Sequence, residues 1–136
     1  MRYIEESELF SNGHHMLSGV SNFTYKGWDD DGDGVIIVLD DKIYSCYEDP
    51  DDGYRSYSVI RAGVPDNVEK KCTNIFPPQP VNVKFEERTG NYNSWDCKIT
   101  NKDGDLILRV GTDEYDDYYP KAIFEYYPEN LPINKK

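Results

Sequence analysis

Apolar and polar residues along this chain follow a pattern that predicts short β-strands joined by turns. Residues 35–39 are apolar at every position, which predicts a central strand covered on both faces. Asp40, Asp41 and Lys42 form the short link to a second strand at 43–47, and so few polar residues between two such runs predict an antiparallel hairpin.

The last third of the chain gives the clearest strand signals. Residues 95–100 and 106–110 flank an Asp-Gly pair, which is a strong short-range hairpin signal. A loop at 111–120 is expected to lead into a final strand at 122–127. Residues 76–80 contain three prolines and predict a rigid extended connector that weakens any ladder and leads into the alternating strand 81–85.

The remaining segments of the chain complete the predicted fold. Residues 5–10 allow a short N-terminal helix with Asn12 and Gly13 as its C-cap. Residues 23–25 begin the β-pattern, an acidic turn at 28–34 follows, and 54–60 fit either a short strand or a turn of helix. We therefore expect one mainly β domain over residues 1–136, folded as a small antiparallel barrel or a two-sheet sandwich of six to eight strands.

The charge balance narrows the choice of partner. The chain has 26 acidic and 15 basic residues, a net charge of −11 and a pI near 4.5. Residues 29–52 carry −9 and residues 103–117 carry −5. Direct binding to nucleic acid is disfavoured, because that binding draws its affinity from Lys and Arg displacing counterions. A basic protein, a metal cation or solubility alone explains such a charge.

Several classes of protein are not expected. No apolar run approaches the ~18 residues of a membrane-spanning helix, and the first residues lack the apolar core of a signal peptide, so we expect a cytoplasmic protein without a membrane partner. Cys46, Cys72 and Cys97 are widely spaced and are expected to be free, mostly buried thiols. His14 and His15 are adjacent, and no nucleophile elbow or phosphate-binding glycine loop occurs, which favours a non-enzymatic protein without a cofactor.

One local motif suggests calcium. Asp29, Asp31 and Asp33 fall at positions 1, 3 and 5 of an EF-hand pattern, and Gly34 falls at the glycine position 6. Position 12 is Asp40 rather than the usual Glu, and the flanks do not look helical. The favoured interpretation is a solvated hairpin loop, and a helix-free Ca²⁺ loop using the three aspartates is the alternative.

Two long polar loops that contain tyrosines, 48–56 and 111–120, are candidates for binding a partner, since functional residues often lie on loops held by a rigid β-scaffold. Arg55 is also explained by an ion pair with Asp113 or Asp116. The predicted partner-binding residues are Asp49, Asp51, Asp52, Tyr54, Arg55, Asp113, Asp116, Asp117 and Tyr118.

With residues 51–56, 111–113 and 117–120 in view, the chain resembles the small acidic anti-defence proteins that bacteriophages carry. The resemblance covers length, charge and these two loops, and it implies an inhibitor that mimics nucleic acid or sequesters a signalling nucleotide. The leading hypothesis is a non-enzymatic inhibitor that binds a basic host defence or nucleic-acid-processing protein. The alternatives are a small-ligand binding protein, for Ca²⁺ or a nucleotide held near Arg55, and an immunity protein for a basic toxin nuclease.

Overall fold

The computed structural model describes residues 11–27, 31–49, 57–87, 95–114 and 120–132, and these residues form one antiparallel sheet of eight strands. The strands are β1 (Gly13–Lys26), β2 (Asp31–Leu39), β3 (Lys42–Asp49), β4 (Tyr57–Ala62), β5 (Val68–Glu87), β6 (Trp95–Thr100), β7 (Leu106–Glu114) and β8 (Pro120–Tyr126). A single 3-10 turn, Pro128–Asn130, follows them. The predicted mainly β, antiparallel fold is confirmed, while the helix predicted at 5–10 lies outside the described residues.

Two four-stranded meanders build the sheet. The spatial order is β4-β3-β2-β1-β5-β6-β7-β8, so strands β1 to β4 follow one another on one side and β5 to β8 on the other. The long strands β1 and β5 pair along their length and join the two meanders. The later part of β1 pairs with the start of β5, and the start of β1 pairs with the later part of β5.

The sheet curls until its outer strands meet, but no backbone ladder joins β4 to β8 among the described residues, so it is not a closed barrel. Side-chain hydrogen bonds make the contact instead. The backbone N–H of Ser58 in β4 donates to Oγ1 of Thr112 at 3.1 Å, and the Ser58 hydroxyl donates to the carbonyl of Ile123 at 3.0 Å. Strand β4 is thereby held against both β7 and β8.

Both predicted hairpins are present. Asp40 and Asp41 form the β2–β3 turn with φ of 53° and 66°, a left-handed pair of the kind that two-residue hairpins need and that Asp tolerates. In the β6–β7 turn, Oδ1 of Asn101 accepts the backbone N–H groups of Asp103 and Asp105 at 2.9 and 3.0 Å. Local turn chemistry therefore sets the register of both hairpins.

Residues 76–80 are extended as predicted, but they belong to β5 itself instead of forming a separate connector that leads into it. Leu17 pairs with Gln79 and Gly19 pairs with Ile75, so residues 76–78 face the single residue Ser18 across a bulge. Pro77 and Pro78 occupy this bulge, where a strand tolerates the loss of backbone N–H donors.

Some predicted boundaries also differ. Gly13 begins β1, and the side-chain amide of Asn12 extends the ladder by accepting the N–H of Phe85 at 2.6 Å and donating to its carbonyl at 3.2 Å. Strand β2 begins at Asp31, inside the predicted acidic turn. The predicted loop 111–120 is shorter, since β7 continues to Glu114 and β8 begins at Pro120. The choice left open at 54–60 is settled as a strand from Tyr57.

The main core lies on the concave face of the sheet. It includes Val35, Ile37 and Leu39, whereas Ile36 points to the other face and packs with Phe23, which confirms that this strand is buried on both faces. Cys46 and Cys97 are buried free thiols, and burial raises the pKa of Cys46 well above its usual value and that of Cys97 to about 12. Both side chains therefore serve as small apolar groups.

No helix within the described ranges is long and apolar enough to cross a membrane.

Candidate functional site

The strand ends that flank three acidic segments meet at one end of the curled sheet. Strand β2 begins where β3 ends, since Gly34 pairs with Tyr47, and Glu48 then pairs with Ser58 near the start of β4. Ser58 in turn contacts Thr112 near the end of β7. Residues 28–33, 48–56 and 113–119 therefore enter or leave the sheet at this end, which we call the acidic end.

The acidic end is named for the charge that the sequence gives to the segments joined to the sheet there. Its three segments include twelve acidic residues and one basic residue, Arg55, for a net charge of −11. This equals the net charge of all 136 residues, so the rest of the chain is neutral in sum. These three segments are therefore far more acidic in sequence than the rest of the chain.

The two predicted partner-binding loops are anchored side by side. Asp49 ends β3 opposite Tyr57, and Asp113 in β7 pairs with Lys121. The strands that follow the first loop and precede the second meet at the Ser58–Thr112 contact. The partner-binding role stays a prediction, and these members of the predicted set lie outside the described residues: Asp51, Asp52, Tyr54, Arg55, Asp116, Asp117 and Tyr118.

Two of the predicted calcium ligands lie on extended strand instead of in a turn. Asp31 and Asp33 belong to β2, and Oδ2 of Asp31 accepts from Nζ of Lys26 at 3.3 Å. Asp29 is outside the described residues. No group of three His, Cys, Asp or Glu side chains placed to hold a metal occurs among the residues that are described. Calcium binding stays a prediction, with a local geometry unlike that of an EF-hand loop.

A cavity of about 250 Å³ lies between β8 and the concave face of β1 and β2. Asn22 and Val35, which pair across the two strands, form part of its wall with Asp33. Phe124 and Tyr126, both on one face of β8, supply aromatic rings from the opposite side and also pack against the main core. The β8 side of the cavity is thus aromatic, whereas the β1–β2 side combines the polar Asn22 and Asp33 with Phe23, Gly34 and Val35.

A second carboxylate adjoins this cavity. The hairpin register places Glu48 in β3 next to Asp33 in β2, because Gly34 and Tyr47 are the neighbouring pair. Glu48 is half-buried, and its pKa is raised by this burial and by the negative charge of Asp33. Two carboxylates are therefore held together where desolvation makes their repulsion stronger than in water.

We expect Glu48→Gln to raise the melting temperature at pH 7. Because the pKa of Glu48 is higher in the folded protein than its ordinary value, folding favours the protonated form, and stability falls as the pH rises through the folded pKa. The amide removes that loss, so its advantage should shrink toward pH 4. Calorimetry at several pH values measures this difference.

Asp103→Asn is the matched control for Glu48→Gln, since it removes one exposed carboxylate in the β6–β7 turn, outside the acidic end. It should give no comparable gain at pH 7. A Glu48→Gln protein that melts at or below the wild-type temperature at pH 7 would contradict the repulsion between Glu48 and Asp33.

His15 makes structural contacts that the sequence did not reveal. Nδ1 of the buried His15 lies 2.5 Å from Oδ2 of Asp40, and its Nε2 lies 2.6 Å from the carbonyl oxygen of Ser11. The hydrogen bond with His15 is the main cause that lowers the pKa of Asp40. These contacts tie β1 to the β2–β3 turn, away from the acidic end.

Sequence reasoning did not find the cavity. Alternation along 122–127 places Phe124 and Tyr126 on one face, but the pattern does not say which strands that face meets. Asn22 gave no signal at all, because a single Asn in a strand is equally consistent with exposure. The contact depends on the curl of eight strands, which no local pattern specifies.

No family model, curated protein or solved structure matches this chain.

Proposed function

We propose that this protein is a non-enzymatic inhibitor of the phage type, which acts in the host cytoplasm by binding a basic surface of a defence or nucleic-acid-processing protein. The observation that supports it is that the described strands flanking residues 28–33, 48–56 and 113–119 meet at one end of the sheet, and the sequence gives these three segments a net charge of −11. A partner that normally holds a phosphate backbone presents the complementary charge.

Electrostatics of this kind acts mainly on partner choice and association rate. A concentrated negative face steers a basic protein toward one orientation and repels acidic proteins. The attraction weakens as the Debye length shortens to ~8 Å near 0.15 M salt. The tyrosines of the loops, Tyr54 and Tyr118 among them, supply the aromatic contact area that interfaces favour.

The competing proposals differ in their support. An immunity protein for a basic toxin nuclease uses the same charge and differs in its partner. A phosphate-bearing nucleotide gains less support, because Asp33 lines the cavity and Glu48 lies beside it. Calcium binding predicts a rise in melting temperature on adding millimolar Ca²⁺, since a ligand that binds the folded state stabilises it.

The test is a pull-down from bacterial lysate with tagged wild type and two charge-matched variants. Asp49→Asn/Asp51→Asn/Asp52→Asn neutralises three carboxylates of the acidic end. Asp41→Asn/Asp103→Asn/Glu129→Gln neutralises three outside it, all exposed, and Asn keeps the left-handed backbone of residue 41 accessible. Washes at low and high salt followed by mass spectrometry identify what is retained.

We expect wild type and the control variant to retain the same basic protein and to lose it at high salt. The acidic-end variant should bind that protein about tenfold more weakly, a loss of ~1.4 kcal/mol. Equal loss of the partner in both variants would show that binding depends only on the total charge of the protein. Unchanged retention of the partner by the acidic-end variant would overturn the assignment of loop 48–56.

A further inference from the structure

We propose that the cavity between β8 and the β1–β2 face is a binding site for an organic cation, namely an ammonium or guanidinium group carried on an aliphatic stem. The site consists of Asp33 and Asn22 on one side and Phe124 and Tyr126 on the other. It goes beyond the proposed function, because it assigns a ligand chemistry to the concave interior of the sheet and not to the loops.

The size of the cavity fits a ligand of this kind. Its volume of about 250 Å³ equals the space of roughly eight water molecules at ~30 Å³ each. Pockets for drug-sized ligands span roughly 300–1,000 Å³, so this one lies just below that range. One extended side chain or one small amine fills it, whereas a nucleotide does not.

Aromatic rings favour a cation over a neutral group. Phe124 and Tyr126 present their rings to the cavity from the same strand, and the face of an aromatic ring attracts ammonium and guanidinium groups. The aliphatic stem of such a ligand would lie toward Val35, which lines the cavity and belongs to the buried main core. Apolar and cation-attracting surfaces thus lie together, as an amphipathic cation requires.

The negative charge at the cavity favours a positively charged ligand. Asp33 contributes a carboxylate to the wall, and the side-chain oxygen of Asn22 can accept an N–H donor. Glu48 stands beside Asp33, and its pKa is raised first by burial and then by the negative charge of Asp33; a positive charge near the two groups relieves the second of these. The described residues that line the cavity include one acid and no Lys or Arg, so an anion finds no partner there.

Two kinds of ligand carry such a cation: a free amine, and a Lys or Arg side chain of a protein. The test titrates the full-length ¹⁵N-labelled protein with N-butylguanidinium and follows the backbone amides of Asn22, Val35 and Phe124 by NMR. N-butylurea, which has the same shape without the charge, and butyrate, which has the opposite charge, are the matched probes.

We expect saturable shifts with N-butylguanidinium and none with butyrate. Asp33→Asn and Phe124→Leu should each weaken binding about tenfold, while the distant Asp41→Asn leaves it unchanged. If Asp33→Asn fails to fold, Glu48→Gln tests the same charge with a smaller expected loss. Equal binding of the urea, or shifts that do not saturate at these amides, would overturn the site.

The sources are separated by comparing spermidine with a short glycine-flanked arginine peptide. Tighter binding of spermidine assigns the cavity to free amines, and tighter binding of the peptide assigns it to a basic side chain. The acidic-end variant Asp49→Asn/Asp51→Asn/Asp52→Asn leaves every residue of the cavity wall intact. If this variant keeps the lysate partner at full strength and still binds N-butylguanidinium, the proposed function fails alone. If the variant loses the lysate partner but the wild type does not bind N-butylguanidinium, the cavity site fails alone.

Discussion

Gly34→Ala is expected to destabilise the protein by about 3 kcal/mol, at the upper end of the cost of overpacking a core. A Cβ at residue 34 would lie 2.2 Å from Cζ of Phe23, whereas real Cβ contacts essentially never fall under 3.0 Å. Phe23 is 2% exposed and packs edge-on against Tyr47, so its ring has little room to withdraw. Urea denaturation followed by circular dichroism measures the loss.

A double-mutant cycle with Phe23→Leu separates this clash from the loss of glycine itself. Phe23→Leu alone should cost about 1–2 kcal/mol through lost packing, and combined with Gly34→Ala it should be less damaging than the sum, because the smaller side chain frees the space. Gly19→Ala is the control, since its Cβ would meet Val38 at 3.3 Å and requires a much smaller shift. Additive losses in the cycle would contradict the steric explanation.

Gly34 also shows how far a sequence motif can be interpreted. The sequence places it at the glycine position of a calcium loop, yet in the structure it lies in β2, paired with Phe23 and Tyr47. Its small size makes room for an aromatic ring from the neighbouring strand. The sequence matches the calcium motif because Asp and Gly alternate there. In the folded protein the glycine is needed for a different reason, namely that a larger side chain would occupy the space of the neighbouring aromatic ring.

Local signals predicted the parts of the fold that depend on neighbouring residues. The β2–β3 and β6–β7 hairpins follow from turn residues between apolar runs, and the central position of residues 35–39 follows from continuous apolarity. The pairing of β1 with β5 did not follow, since its partners are 43 to 70 residues apart and its bulge contains prolines that argue against a strand. Long-range register depends on packing of the entire sheet.

Part of the candidate site could also be predicted from the sequence, and part of it could not. The acidic segments and the two tyrosine-containing loops are visible in the sequence. Their convergence depends on the curl that brings Ser58 to Thr112, and the cavity depends on where β8 then lies. Charge is a property of composition, whereas a concave surface is a property of the complete sheet.

Trp95→Ala is expected to cost about 3–5 kcal/mol, a large share of the ~5–15 kcal/mol that stabilises a typical domain. Trp95 is 2% exposed and stacks on Phe85 with ring centroids 5.7 Å apart. It pairs across the sheet with Thr112, whose hydroxyl accepts from Ser58 in β4. Truncation therefore leaves a void next to Thr112, which holds β4 against β7, and equilibrium unfolding in urea measures its cost.

Trp95→Phe is the matched control, because it keeps an aromatic ring against Phe85 and removes less volume, so we expect roughly 1–2 kcal/mol. The acidic end gives a second readout, since β4 and β7 carry its two large loops and meet beside Trp95. If packing at Trp95 holds these strands together, Trp95→Ala should increase amide hydrogen exchange at Ser58 more than at Lys98, which lies away from that contact in the middle of β6. A loss under ~1 kcal/mol with unchanged exchange at Ser58 would show that the sheet ends stay together without this side chain.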